Sequence, residues 1–252
     1  MPRFFLSRDA IDGGRVRFDA AEAHHLARVL RLRPGAILEA IGGGGRVLSV
    51  RLEALEPGAA WGTVVGEARA AGESPCAITL AQAMLKGERM TWLIQKATEL
   101  GVARIVPMET ARVVARPAGD RTDARRARWE RVAREAVKQC GRAVTPPIGA
   151  PRGFEELLAE APAHDASWLC WEGGGVPLAE AAGAAGRPRR VLLLVGPEGG
   201  FTPDEVARAE RSGVRIVGLG PRTLRAESAG IVAVALCQHL FGDLGCLVEG
   251  AP

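Results

Sequence analysis

Two loops in the C-terminal part of this 252-residue chain carry the residue types that could do chemistry. The first, Gly196-Pro197-Glu198-Gly199-Gly200, follows an apolar strand candidate at residues 191–195 and precedes Thr202-Pro203. Its three glycines let the backbone approach a ligand closely or take positive φ angles. Thr before Pro is a good N-cap and first-turn pair for the helix that follows. An ordinary strand-to-helix turn rarely needs three glycines around a carboxylate. The second loop, residues 219–228 (LGPRTLRAES), sets two arginines and Glu227 between a buried strand and a helix. A capping box could account for Glu227 or Ser228 alone, but two such loops on neighbouring strands point to one ligand site. Ligands of open α/β sheets bind at the carboxyl ends of strands, where both loops lie.

Several familiar chemistries are absent. The chain has neither G-x-G-x-x-G nor G-x-x-x-x-G-K-[ST], so the usual dinucleotide and phosphate-cradling loops are missing. His24 and His25 sit in a helical stretch, and His164 and His239 have no metal-like partners in sequence, so no metal is expected. Cys76, Cys140, Cys170, Cys237 and Cys246 show no C-x-x-C spacing and no pairing pattern. That argues against a zinc site or a disulfide framework and for a reducing, cytoplasmic setting. No apolar run approaches the ~18 residues of a membrane span, and residues 1–10 do not resemble a signal peptide.

The elements that must position the loops change character along the chain. Short strand candidates at 15–18, 36–41, 46–52 and 61–67, separated by Gly- and Pro-rich turns, predict a small barrel interrupted by one helix at 20–30. Residues 68–75 read as a linker. Strand and helix then alternate: strands at 77–83, 104–107, 167–171, 191–195 and 214–219, helices at 88–100, 122–140, 203–212 and 228–241. Alternation of this kind predicts a parallel sheet covered by helices on both faces. The domains expected are therefore 1–72 and 75–252, in an α/β protein.

Charge adds a partner. The net charge is only +4, but residues 112–142 hold ten Lys or Arg against four acids, and residues 1–34 hold seven Arg against four acids. Clusters of this kind suit a phosphate backbone, because each neutralised phosphate releases a counterion. A solvated charged face is the plainer explanation. Arg131, Arg134 and Lys138 fall at helical spacing on one stripe and, with Arg3, Arg8, Arg28, Arg31 and Arg33, are the residues expected to hold backbone phosphates.

Five segments in the same order resemble one known family: HHLARVLRLRPG (24–35), QKATELGV (95–102), REAVKQCGR (134–142), LLVGPEGGFTPDE (193–205) and LGPRTLRAESA (219–229). They are similar to the bacterial 16S rRNA (uracil-N3)-methyltransferases of the SPOUT superfamily. The resemblance implies a small N-terminal PUA-like β-barrel, then a parallel-sheet SPOUT domain with a deep trefoil knot. It also implies a homodimer and S-adenosyl-L-methionine bent into the knot. Positions matching its cofactor contacts are Leu194, Gly196, Gly199, Gly200, Leu219, Gly220, Leu224 and Arg225. Ala226 and Ser228 stand where the family commonly has Thr, and Cys140 where it has Ser.

The substrate implied is a uridine of the small ribosomal subunit. Its N3 proton must leave, so Arg225 is expected to stabilise charge and Glu227 to orient the base or take the proton. A structural salt bridge between these two would explain them without catalysis. Two other classes compete: a non-catalytic RNA-binding ribosome-assembly factor, and an α/β enzyme acting on a small nucleotide. The intact glycine loop speaks against the first and the basic cluster against the second.

Overall fold

The computed structural model describes residues 3–6, 10–43, 45–69, 72–113 and 121–245. It separates into two compact units, Met1–Glu73 with Val137–Thr145, and Ser74–Ala136 with Pro146–Pro252.

The N-terminal unit contains β1 (Arg3–Phe5), β2 (Ile11–Asp12), β3 (Arg15–Phe18), α1 (Ala20–His24), β4 (Ile37–Ile41), β5 (Arg46–Glu56) and β6 (Ala59–Arg69). The strands form one sheet in the order β1-β4-β5-β6-β3-β2, antiparallel except for the β1–β4 pair. In β3, Val16 and Phe18 point inward and Arg15 and Arg17 outward, the two-residue period of a half-buried strand. The Phe4 and Phe18 rings lie 6.1 Å apart although β1 and β3 are four places apart in the sheet. Flat strands at that separation would be about 19 Å apart, so the sheet curls around its core, as the short strands predict.

The helix expected at 20–30 is divided. Asp19 caps α1 by accepting the Glu22 N–H at 2.9 Å. From His25 to Val29 the backbone widens into a π-helical turn, closed by the Leu30 N–H on the His25 carbonyl at 3.0 Å. The unit also takes in residues 137–145: Val137 and Ala143 are buried with Ile41 and Val47. Glu73, at the end of the expected linker, accepts from Arg142 Nη2 at 2.8 Å and from the N–H groups of Ala143 and Val144.

The second unit alternates as the sequence predicts. Its elements are β7 (Ala77–Ala83), α2 (Arg89–Glu99), β8 (Arg104–Glu109), α3 (Arg121–Cys140, ending in the other unit), β9 (Arg152–Gly153), α4 (Phe154–Leu158), β10 (Ala166–Cys170), β11 (Val176–Pro177), α5 (Leu178–Ala185), β12 (Arg190–Val195), α6 (Pro203–Arg211), β13 (Arg215–Gly218) and α7 (Ala226–Phe241). All seven strands are parallel, in the order β11-β13-β10-β12-β7-β8-β9. The central strands are buried on both faces, hence their unbroken apolar runs. In β12, Val191, Leu193 and Val195 join Leu93, Trp129 and Val234 on one face, while Leu192 and Leu194 join Leu157 and Val206 on the other.

After β13 the chain returns as α7, which packs on β12, β7 and α2. β12 and β13 are not neighbours as the sequence reading expects, since β10 lies between them, but all three are parallel and so carry their following loops at one end of the sheet. The short elements β1, β2, β9, α4, β11 and the Ala-rich α5 left no strong periodic signal in the sequence. α7 begins at Ala226 rather than 228, which puts Glu227 in its first turn. Among the described residues no helix is long and apolar enough to cross a membrane, and no group of three His, Cys, Asp or Glu could hold a metal.

Candidate active site

A cavity of about 620 Å³ opens at the carboxyl ends of β10, β12 and β13. Its size falls within the range of small-ligand pockets. Of the residues singled out in the sequence, Gly196, Gly200, Leu219, Gly220, Leu224, Arg225 and Glu227 line it. Leu194 and Gly199 do not. Leu194 is fully buried in β12, hydrogen-bonded between β10 and β7. Gly199 turns to Arg112, whose Nη1 donates to its carbonyl at 2.8 Å.

Two contributors escaped the sequence reading. A third loop after β10, Trp171-Glu172-Gly173-Gly174-Gly175, supplies Trp171, Glu172, Gly174 and Gly175 to the lining. Its glycine triplet is the same signal as the other loop and could have been read. Arg89 enters from the first turn of α2, and no local pattern announces it.

The glycine loop is anchored from below and behind. Gln82, fully buried at the end of β7, donates from Nε2 to the Gly196 carbonyl at 3.2 Å. Thr202 caps α6, as the Thr-Pro pair predicts, and also forms a capping box with Glu205. Glu205 is 1% exposed and also accepts the Ala111 N–H at 2.8 Å. In the second loop Gly220 has φ 122°, a conformation open to glycine and strained for any L side chain.

The electrostatics are built around two carboxylates and one guanidinium. Glu198 Oε1 accepts from the Lys86 N–H at 3.2 Å and from Arg89 Nη1 at 3.0 Å. Partial burial works to raise its pKa, but the backbone donors of Glu198 and Lys86, together with Arg89, outweigh burial and hold the carboxyl below its ordinary range. Glu227 is 7% exposed. The N-cap of α7 is Arg225, with no side-chain capping bond, so a capping box does not account for Glu227. Its Oε1 lies 3.9 Å from Arg89 Nε, and its buried Oε2 has no hydrogen-bond partner. Arg225 itself is exposed and makes no ion pair with Glu227 among the described residues, so the structural salt bridge considered for that pair is not formed. Cys170 also faces the cavity. Burial pushes its thiol up to about 12, so it stays protonated and is no nucleophile near neutral pH.

The basic residues separate into two sets. Arg28, Arg31 and Arg33 are exposed and have no acidic partner among the described residues. Arg28 lies within the π-helical turn and Arg31 and Arg33 follow it, close in sequence to Val29 at 63% exposure. Arg31 has φ 52°, the one positive φ of a non-glycine residue among those described. Arg131 and Arg134 are exposed on α3. Lys138 and Arg3 are not presented in this way. Lys138 Nζ pairs with buried Glu22 at 2.7 Å and lies over the Phe5 ring, because a buried carboxylate needs a counter-charge. Arg3 pairs with Glu39 at 2.7 Å and donates to the Arg142 carbonyl. Arg8 lies outside the described residues.

The molecule thus joins a parallel sheet with a glycine-lined cavity to a curled sheet with exposed arginines, and comparison with known proteins gives the class. Residues 72–238 match the family model of an RNA methyltransferase domain, and residues 18–65 that of an RNA methyltransferase PUA domain. The ribosomal RNA small subunit methyltransferase E of Synechocystis is 32% identical over 95% of this chain and 78% of its own length. The crystal structure of a ribosomal RNA small subunit methyltransferase E from Neisseria gonorrhoeae bound to S-adenosyl methionine superposes with a TM-score of 0.87 at 34% identity, covering 96% of this chain and 99% of that one. A putative methyltransferase from Legionella pneumophila in complex with the bound cofactor SAM gives 0.87 at 28% identity, covering 96% and 98%. The chain belongs to the ribosomal RNA small subunit methyltransferase E family. Its fold is the one that the resemblance implies, a PUA domain followed by a parallel SPOUT sheet.

Proposed function

We propose that this protein is a cytoplasmic enzyme that transfers the methyl group of S-adenosylmethionine to N3 of a uridine in 16S rRNA. The observation that carries the proposal is the cavity itself, with its glycine lining and a buried Glu227 oxygen that lacks a partner. Gly196, Gly200, Leu219, Gly220, Leu224 and Arg225 would hold the cofactor, largely through backbone groups that approach closely where side chains are absent. When bound, the cofactor supplies an electrophilic methyl on a cationic sulfur. Uracil N3 carries a proton on the Watson–Crick edge, so the base must be unpaired or turned out of its stack to enter. Glu227 Oε2 takes that proton. Arg225 offsets the negative charge left on the uracil oxygens. Mass spectrometry of small-subunit RNA from a strain lacking this gene tests the whole reading. Loss of one N3-methyluridine is expected, and an unchanged RNA would overturn it.

Arg28, Arg31 and Arg33 on the first unit, and Arg131 and Arg134 on the second, are proposed to grip RNA phosphates. Replacing Arg28 and Arg33 together by Gln is expected to flatten the salt dependence of RNA binding by about one unit of slope for each phosphate contact removed. Filter binding across a salt series measures it, and a parallel, unflattened line would remove these residues from the interface.

The enzyme is further proposed to be a homodimer. α7 is apolar on nearly all sides, yet Ile231, Val232, Ala235 and Leu236 are only half-buried, and the adjoining Leu240 and Trp92 are exposed at 42% and 45%. A helix apolar all round belongs in an interior, and a second copy provides one. Sedimentation equilibrium should give twice the chain mass, shifting toward the monomer when Trp92 and Leu240 are both replaced by Arg.

A further inference from the structure

Arg89 reaches two carboxylates, one in the glycine loop and one in the first turn of α7. Its Nη1 donates to Glu198 Oε1 at 3.0 Å, and its Nε stands 3.9 Å from Glu227 Oε1. Glu198 is itself pinned by the Lys86 N–H. A relay therefore runs from the backbone ahead of α2, through the glycine loop, to the first turn of α7. Each link has a physical reason. A carboxylate buried as deeply as Glu227 is disfavoured without a nearby cation. Only a guanidinium offers Nε and Nη donors in a rigid fork, able to serve two acceptors on different elements at once. Because Oε1 faces Arg89, the unpartnered Oε2 is the oxygen left for a substrate.

We infer that Arg89 is a positioning residue for methyl transfer: it holds Glu227 by Oε1 and so presents Oε2 to the base that enters the cavity. The inference rests on the reading of Glu227 as proton acceptor. The Arg89 side chain is 45% exposed, so the core does not depend on it. Glu198 acts one step further back, fixing Arg89 rather than touching substrate.

A double-mutant cycle tests this, using the full chain with small ribosomal subunits that lack the methyl group. Arg89→Met is expected to lower kcat roughly 10- to 100-fold, below the full effect of losing a general base. The Kd for S-adenosylmethionine, read by calorimetry, should move less than about threefold, since uniform binding is not what is lost. Arg89→Lys keeps the charge without the fork and should recover part of the rate. In a Glu227→Gln background Arg89→Met should cost nothing more, because residues that act through one another are not additive. Equal fold-losses in both backgrounds would overturn the inference and leave Glu227 as base untouched. A Glu227→Gln enzyme as fast as the parent would remove both the base and its positioner. A rise in Kd matching the whole loss in kcat/KM would reassign Arg89 to cofactor binding.

Discussion

Glutamine in place of Glu227 is expected to reduce the turnover of methyl transfer roughly 10²- to 10⁴-fold, the usual contribution of a positioned general base. The substitution keeps the shape and one carbonyl oxygen, so the fold and the cavity should survive. What is lost is the proposed acceptor for the N3 proton, the buried oxygen that has no hydrogen-bond partner. Cofactor affinity should change by less than about threefold, because the effect lies in the transition state rather than in uniform binding. Single-turnover methylation of small subunits, paired with calorimetry, separates the two. A fall in affinity with an unchanged single-turnover rate would make Glu227 a ligand-holding residue and not a base.

The second large effect concerns stability. Glu205→Ala is expected to lower the unfolding free energy by about 3 kcal/mol, since it removes a buried, charged acceptor shared by three hydrogen bonds. Glu205 is almost wholly inaccessible and accepts from the Thr202 N–H at 2.8 Å, the Thr202 hydroxyl at 3.1 Å and the Ala111 N–H at 2.8 Å. Thr202→Ala, which removes only the cap, should cost about 1 kcal/mol. Urea unfolding with a constant slope measures both. Equal losses for the two variants would show that the link from α6 to Ala111 contributes nothing beyond the helix cap. Because the same carboxylate fixes the chain just after Gly200, the Glu205 variant should also bind S-adenosylmethionine more weakly.

Much of the site was legible because its signals are local. Three glycines around Glu198, a Thr-Pro cap, and the 3.6-residue spacing of Leu93, Ile94 and Ala97 each lie within one element. The parallel sheet was legible for the same reason, since strands covered on both faces are apolar throughout. What was missed depends on partners distant in sequence. Arg89 has no motif around it, and its meaning comes from Glu198 and Glu227, which reach it only through the fold. Lys138 sits on the stripe that helical spacing predicts, but Glu22 from α1 claims it. The widened turn at His25–Val29 reads in sequence as an ordinary helix, because its departure lies in backbone hydrogen bonding rather than in residue type.

The strand order also constrains how this chain is made. β12 lies between β10 and β7, and Gln82 on β7 bonds the carbonyl of Val195, 113 residues later. Parallel pairings between segments so far apart form slowly, because a long loop must close before any contact rewards it. While the polypeptide emerges from a ribosome, β7 and β8 can meet early, yet the middle of the sheet stays open until β12 arrives. The last helix must then lie down on strands already in place. The cavity is therefore completed last, and a nascent chain cut short before α7 would have most of a domain and a cavity missing one wall.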